Sequence, residues 1–220
     1  MVLEILKDER RATMPSMFYP PLKRAMDIAG ASVGLVLTAP LTVPAAVAIR
    51  ATMGSPVLFR QARPGLHGKP FEMIKFRTMR HPKPGEDPLK SDASRLTKLG
   101  SFLRSTSIDE LPALLNVLAG DVSLVGPRPL LMRYLDRYTP HQARRHEVKP
   151  GITGWAQVNG RNTLSWEEKF DKDVWYVDNR SLLLDVQIIL MTVSKVIARD
   201  GISAQGSATM TEFFGSGESG

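Results

Sequence analysis

The feature that most constrains the fold is an uncharged apolar stretch of 22 residues, 28–49. As a straight helix rising ~1.5 Å per residue, it would just cross a bilayer core of ~30 Å. It starts too late, and lacks the short apolar core, of a cleavable signal peptide. Pro40 and Pro44 lie in its middle, and each removes a backbone donor and disfavours helical angles in the preceding residue. The stretch is therefore predicted to embed in a membrane and to break at Pro40.

Basic residues flank this stretch on both sides, with Lys23 and Arg24 before it and Arg50, Arg60 and Arg63 after it. The positive-inside rule places both flanks in the cytoplasm, which one straight crossing cannot satisfy. We therefore expect a re-entrant helix that enters and leaves the same leaflet. A single-pass anchor and a pair of buried core helices in a soluble protein are the alternatives.

Composition excludes several kinds of site and indicates the charge of the binding partner. The chain of 220 residues has no cysteine, which excludes disulfides, thiolate metal sites and a cysteine nucleophile. Its net charge is +7, and the whole basic excess lies in the first 150 residues, which predicts an anionic partner. No run of five like charges occurs, so a polybasic arm for nucleic acid is not expected. Scattered cations are more typical of a membrane-facing surface or a phosphate pocket.

The remainder of the chain predicts an α+β fold, mainly helical with a small β-hairpin or sheet. Two strands, 57–61 and 71–77, are expected around a type II turn at Pro64 and Gly65. Apolar residues at helical spacing predict helices over 94–105, 108–119, 130–148, 166–177 and 182–198. We expect an N-terminal segment 1–22, a membrane helix 23–50, a catalytic domain 51–206 and a flexible tail 207–220.

Two adjacent acids, Asp109 and Glu110, fall in the first turn of a predicted helix. Ser107 and Glu110 have the spacing of a capping box, although Pro112 suggests a slightly later start. Adjacent carboxylates can hold a divalent cation, offer one oxygen as a nucleophile and leave the other as a base. Acids at this position also simply stabilise helices, so the pair does not assign a function without further context.

Several basic residues are candidates for binding phosphate. Arg128 lies between Pro127 and Pro129, which restrict the backbone around one guanidinium. Lys75 and Arg77 are expected on one face of a strand, where they repel each other unless an anion lies between them.

Two further patterns are less specific. Asp171 and Asp173 have the D-x-D spacing that holds a metal in many glycosyltransferases, but their helical context also fits a charged face. Arg161 near Trp155 offers a cation and an aromatic plane to a nucleotide. The motifs of P-loop ATPases, dinucleotide-binding dehydrogenases, α/β-hydrolases and zincins are absent from the sequence.

The order of motifs along the chain resembles the bacterial sugar transferases, the monotopic phosphoglycosyl transferases that begin glycoconjugate assembly. The resemblance covers residues 23–206. The matching segments are Lys23-Arg24-x-x-Asp27, Phe59-Arg60-Gln61-x-Arg63-Pro64-Gly65, Lys75-Phe76-Arg77-Thr78-Met79, Ser107-Ile108-Asp109-Glu110-Leu111-Pro112, Asn116-Val117-Leu118-x-Gly120-Asp121, Val125-Gly126-Pro127-Arg128-Pro129 and the run from Pro150 to Arg161.

The resemblance implies transfer of a sugar-1-phosphate from a UDP-sugar to polyprenyl phosphate, with release of UMP. It implies a covalent intermediate on Asp109, with Glu110 as its partner and both acids near Mg²⁺. These implied roles rest on the family and not on spacing.

The resemblance also assigns binding residues and a location. Arg128 would grip phosphate, with Lys75 and Arg104 as further phosphate ligands and Arg161 as a nucleotide contact. The domain would lie on the cytoplasmic face of the inner membrane, in contact with lipid. A metal-dependent glycosyltransferase that releases UDP, and a non-catalytic basic scaffold at the membrane, remain the alternatives. The oligomeric state is not predicted.

Overall fold

The structure is a computed structural model that describes residues 19–82, 85–86, 92–160, 164–198 and 212–215. It is mainly helical with two small sheets, which confirms the predicted α+β class. The α-helices are α1 (Tyr19–Met53), α2 (Asp92–Arg95), α3 (Lys98–Ser105), α4 (Leu114–Ala119), α5 (Pro140–Ala143), α6 (Trp155–Val158), α7 (Trp166–Asn179) and α8 (Leu182–Ala198). The strands are β1 (Leu58–Pro64), β2 (Pro70–Phe76), β3 (Ser123–Val125) and β4 (Gly151–Thr153), and 3₁₀ helices cover Leu66–Gly68, Ile108–Ala113, Met132–Arg137 and Arg144–Glu147.

The apolar stretch lies within α1, a helix of 35 residues and about 52 Å at ~1.5 Å per residue. The helix continues through Pro40 and Pro44, so the break predicted at Pro40 is not seen. One proline removes a single ladder hydrogen bond, and such a loss can be absorbed within a long helix. Thr38 and Thr42 donate to the carbonyls of Gly34 and Ala39, one turn back, and not to carbonyls freed by the prolines.

Both ends of α1 pack on the same domain. Near its start, the Asp27 carboxylate accepts from Ser123 Oγ at 3.0 Å and from the Leu124 N–H at 2.9 Å. At its other end, Arg77 Nη2 donates to the carbonyls of Met53 and Gly54. The same domain therefore contacts α1 near both of its ends.

The middle of α1 presents an apolar face outwards. Among the described residues, α1 is the helix that is long and apolar enough to cross a membrane, and only 11% of its most apolar window is buried. A core helix of a soluble protein would be mostly buried, so the buried-pair alternative does not fit. The large exposed residues along this face are Val33, Val36, Leu37, Leu41, Val43 and Val47.

Strands β1 and β2 form the predicted antiparallel hairpin, with Leu58 opposite Phe76. Its connection differs from the predicted type II turn, because Gly65 has φ −98° and the positive φ values fall at His67 and Gly68. The predicted helix over 94–105 is also interrupted, since Thr97 leaves helical angles and caps α3 by accepting from the Gly100 N–H.

The prediction of one helix over 130–148 is wrong. The segment forms the two 3₁₀ helices Met132–Arg137 and Arg144–Glu147, with α5 between them. Tyr138 adopts extended angles, and Thr139 then caps α5 with a full capping box with Gln142. Extended angles at Tyr138 end one helical turn, and the Thr139 cap starts the next.

Candidate active site

The acidic pair lies at the start of the 3₁₀ helix Ile108–Ala113, as the sequence predicted for the first turn. The predicted capping box is not formed, because Ser107 has left-handed angles (φ 58°, ψ 14°) and its side chain makes no capping bond. The Glu110 N–H instead donates to the Ser107 carbonyl at 3.2 Å. The Glu110 side chain is thereby available for contacts with other parts of the fold.

Glu110 is held by two cations from distant parts of the chain. Lys75 Nζ, in β2, donates to Glu110 Oε1 at 2.8 Å. Arg128 donates from Nη2 to Oε1 at 2.5 Å and from Nη1 to Oε2 at 3.2 Å, a two-pronged pairing. Burial alone would raise the pKa of Glu110, but Arg128 and Lys75 more than offset burial and hold this pKa well below its usual range. Glu110 is therefore a fixed anion between two cations.

Asp109 has the opposite environment. It is 9% exposed, and no group in the described residues donates a hydrogen bond to its carboxylate. Burial and the neighbouring Glu110 raise its pKa to about 6, although Lys75, Arg104 and Arg128 pull it downwards. A carboxylate without hydrogen-bond donors, whose pKa lies close to neutral, keeps its oxygen lone pairs available for nucleophilic attack.

The structure brings four of the predicted residues together directly, Lys75, Asp109, Glu110 and Arg128, and places Arg104 beside them. Arg104, in α3, donates from Nε to Thr78 Oγ1 at 3.1 Å, and its charge acts on Asp109. The predicted nucleotide contact, Arg161, lies outside the described residues.

Arg77 does not share the role of Lys75. Its guanidinium binds the carbonyls of Met53, Gly54 and Ser55 at the end of α1. The two cations predicted on one strand face therefore have separate partners, because Glu110 binds Lys75 and main-chain oxygens bind Arg77.

Arg63, in β1, is a cation of this cluster that sequence reasoning did not select. Burial and the charge of Arg128 lower its pKa to about 10, with Glu110 acting in the opposite direction. Its Nη2 donates to Gln61 Oε1 at 2.6 Å, and its buried Nε has no partner among the described residues.

A rigid loop presents Arg128 to the acids. The Gly126 N–H donates to the Thr153 carbonyl and the Gly151 N–H donates to the Pro127 carbonyl, each at 2.9 Å, which ties the loop to β4. A Cβ on Gly151 would lie 2.1 Å from the Gly126 nitrogen, so only glycine permits this approach.

Arg145 holds the loop that carries Arg128 through hydrogen bonds. Its Nη2 donates to the Arg128 carbonyl at 2.7 Å and to Asp173 Oδ2 at 2.7 Å. Asp173 is thus a buried counterion, while Asp171 lies on the exposed face and pairs with His141. Because the two acids point in different directions, the D-x-D metal site considered from the sequence is not formed.

Asp109 and Glu110 have donor atoms of the type that Mg²⁺ takes when its remaining ligands are phosphate and water. No cluster of three or more acidic or histidine side chains able to hold a metal occurs among the described residues. Mg²⁺ commonly takes only one or two carboxylates, together with substrate phosphates and water. Asp109 has free oxygen lone pairs and Glu110 retains some beyond its two partners, so these two residues are able to supply such ligands.

Comparison with known proteins places the chain in a family. Residues 18–199 match the family described as bacterial sugar transferase. The chain is 56% identical over 197 residues to a protein named as the uncharacterized sugar transferase EpsL of Bacillus subtilis, an alignment that covers 90% of this chain and 98% of that protein.

Two other relatives carry names that state a reaction. The UDP-glucose:undecaprenyl-phosphate glucose-1-phosphate transferase of Caulobacter vibrioides is 41% identical over 197 residues, covering 85% of this chain and 74% of that protein. The second is the UDP-N-acetylgalactosamine-undecaprenyl-phosphate N-acetylgalactosaminephosphotransferase of Aeromonas hydrophila. It is 37% identical over 196 residues, an alignment that covers 86% of this chain and 46% of the Aeromonas protein. The chain therefore belongs to the bacterial sugar transferase family and is an enzyme of that type.

Proposed function

We propose that this enzyme transfers a sugar-1-phosphate from a UDP-sugar to polyprenyl phosphate, giving a polyprenyl-diphosphate sugar and UMP. The observation that carries the proposal is the buried carboxylate of Asp109, to which no described residue donates a hydrogen bond, beside a Glu110 that Lys75 and Arg128 hold in place. The names of the Caulobacter and Aeromonas relatives support the same reaction class.

Asp109 is the proposed nucleophile. One of its carboxylate oxygens attacks the phosphorus that carries the sugar and forms a new P–O bond. The bond from that phosphorus to the bridging oxygen breaks, and UMP leaves with the bridging oxygen. A phosphate oxygen of polyprenyl phosphate then attacks the same phosphorus, which breaks the bond to Asp109 and regenerates the carboxylate.

The surrounding cations support both steps. Attack by an anion on an anionic diphosphate requires neutralisation of the charge that develops on the phosphoryl oxygens. Arg128 and Lys75 are already held in place by Glu110, so they need little rearrangement to bind phosphate. Mg²⁺, held by Asp109 and Glu110, would supply further neutralisation of the phosphates when bound.

Asp109 must also be reached by a lipid substrate. We propose that the exposed apolar face of α1 enters the cytoplasmic leaflet of the inner membrane and that the rest of the described domain stays on the cytoplasmic side. Two observations support this: basic residues flank both ends of the apolar stretch, and both ends of α1 bind the same domain.

A product assay tests the proposed reaction. Purified enzyme in lipid nanodiscs, with Mg²⁺ and undecaprenyl phosphate, is screened against a panel of UDP-sugars for UMP release. We expect UMP with at least one sugar, and a loss of about a thousandfold or more in the rate of UMP release by Asp109→Asn. Asp171→Asn, which removes an exposed carboxylate from α7, is the matched control and should retain activity within about twofold.

The alternatives predict different products. Release of UDP instead of UMP would indicate a glycosyltransferase. Undiminished turnover by Asp109→Asn would refute the nucleophile assignment. With UDP-sugar alone, mass spectrometry of rapidly quenched enzyme should locate a phosphosugar on the peptide that contains Asp109.

A further inference from the structure

The C-terminal segment 212–215 docks against the domain at an aromatic cluster. Phe213 lies far from Asp109 and Glu110 in sequence. Its side chain is buried, with 2% of its surface exposed. The rings around it have centroids 5.0 to 5.9 Å from its own, in edge, tilted and stacked arrangements. They are the rings of Tyr134, Tyr138, Trp166 and Phe170.

Polar contacts fix the same segment. The Phe213 N–H donates to Tyr134 Oη at 3.3 Å, and its carbonyl accepts from Arg137 Nη1. The Glu212 carboxylate pairs with Arg133 and Arg137, each at 3.0 Å. Residues 212–213, which we call the clasp, therefore dock in one defined position.

Contacts of the aromatic cluster lead directly to the loop that carries Arg128. The Arg145 guanidinium lies over the rings of Tyr138 and Phe170 and donates to Tyr138 Oη at 3.2 Å. The same guanidinium donates to the Arg128 carbonyl at 2.7 Å, and Asp173 neutralises it. Continuous contacts therefore connect Phe213 with the main chain of Arg128.

Resting on the proposed function, we propose that the clasp is a positioning element of the active site. Phe213 acts through Tyr138 and Arg145 to hold the Arg128 main chain where its guanidinium reaches Glu110 and a substrate phosphate. Truncating Phe213 would leave a cavity beneath Tyr138 and Phe170, into which these rings relax. Arg145 would then lose its stacking partners, and a displacement of even 1 Å at Arg128 is costly for the reaction.

Three variants test the kinetic consequence, each assayed well below its own Tm. Phe213→Ala should lower kcat/KM for the UDP-sugar by about tenfold or more. Phe213→Leu, which refills most of the space, should stay within about threefold of wild type. Phe214→Ala is the control, because that ring is 55% exposed, and it should remain within about twofold. Equal losses in the variants of Phe213 and Phe214 would overturn the proposal.

A double-mutant cycle separates positioning from mere stability. In an Arg128→Lys background, which already lacks the two-pronged grip, Phe213→Ala should lower kcat/KM by less than about threefold more. A purely structural role would reduce activity by the same factor in both backgrounds. That result would refute the link to Arg128.

Hydrogen exchange tests the clasp without any assay of activity. In the unliganded enzyme, Phe213→Ala should speed amide exchange in 130–138 and 144–148, with no change in the β1–β2 hairpin. Phe214→Ala, whose ring is stacked with the Arg137 guanidinium, should leave 144–148 and the hairpin unchanged. Absence of UMP release by the wild-type enzyme would refute the proposed function, whereas exchange unaffected by Phe213→Ala would overturn the clasp whatever the activity.

Discussion

Asp109 and Glu110 are neighbours whose pKa values are driven apart by their surroundings. Glu110 receives hydrogen bonds from two cations, so its charge is fixed and its oxygens are largely occupied. Asp109 receives none from the described residues, and burial raises its pKa to about 6. Divergent pKa values in adjacent carboxyl groups are typical of separate roles, which supports the proposal that Asp109 is the nucleophile and Glu110 anchors the cations.

The environment of Asp109 predicts that removal of its charge stabilises the protein. Because the pKa of Asp109 is about 6 in the folded protein against an ordinary value of 3.8, folding favours the protonated form, and stability falls as pH rises through this window. At pH 7.5 the Asp109→Asn variant, which carries no charge, should be more stable by about 3 kcal/mol. Thermal unfolding in detergent measures the difference as a higher Tm.

The pH dependence is the control for this prediction. As pH falls towards 4.5, Asp109 of the wild type becomes largely protonated in the folded state, so the difference in Tm should shrink. A gain in Tm that is equally large at pH 4.5 would show that charge burial is not its cause.

For single residues, the sequence predicted which side chains form the site better than it predicted their backbone conformations. Lys75, Asp109, Glu110 and Arg128 were selected by residue type and by the family resemblance, and the structure brings them together. The left-handed Ser107 was missed because a serine three residues before a glutamate normally indicates a capping box. Arg63 was missed because its neighbour Arg128 is 65 positions away, and sequence shows no contacts over such separations.

Among the elements, the short parallel pair β3–β4 carries the loop that presents Arg128. Ser123 pairs with Gly151 and Val125 with Thr153. Asp27 of α1 binds the same β3 strand through Ser123 and Leu124. The loop is thereby tied to both α1 and the sheet.

Substitution of a strand glycine tests this support. In Gly151→Ala, the new Cβ would lie 2.1 Å from the Gly126 nitrogen, a main-chain atom that cannot move without separating the strands. We expect a loss of about 3 kcal/mol in unfolding free energy and at least tenfold in UMP release. Chemical denaturation and the product assay measure the two effects.

Gly34→Ala is the matched control. Its new Cβ would contact the end of the Leu114 side chain at 3.2 Å, which can rotate away. The cost should be below about 1 kcal/mol. Comparable damage from the two substitutions would argue against a special role for the β3–β4 approach.

Elements with a long uniform pattern were predicted well, and those assembled from short turns were not. The prediction of a helix over 182–198 matches α8 at both bounds, because apolar residues recur along its whole length. Over 130–148 the same kind of pattern spans three separate helical turns. Their separation depends on the extended angles of Tyr138 and the packing of Arg145, which are tertiary effects.

For the molecule as a whole, the attachment of both ends of α1 to one domain favours entry from one side of the membrane over a crossing. The apolar length and the basic flanks were readable from sequence. The attachments were not, because they join α1 to residues as far as 166 positions away, as between Tyr19 and Asp185.

Single cysteines test the topology in this chain, which has none of its own. Leu22→Cys and Ala51→Cys lie at exposed positions near the two ends of α1. A membrane-impermeant maleimide should label both in inverted vesicles and neither in intact cells. Leu37→Cys, on the outward apolar face, should remain unlabelled until detergent is added.

Labelling of residues 22 and 51 from opposite sides would contradict one-sided insertion. It would mean that α1 crosses the bilayer and that its contacts at one end do not form in the membrane.

Leu114, which follows the 3₁₀ helix that carries Asp109 and Glu110, packs on Ala31 and Gly34 and so places that 3₁₀ helix directly against α1. If α1 lies in lipid as proposed, its depth determines the height of Asp109 above the bilayer surface. The phosphate of the polyprenyl acceptor, which lies at that surface, is then already at the level of the active site. It reaches the enzyme by lateral diffusion in a plane, so turnover should respond to the surface density of the acceptor in the membrane and not to its amount per volume of solution.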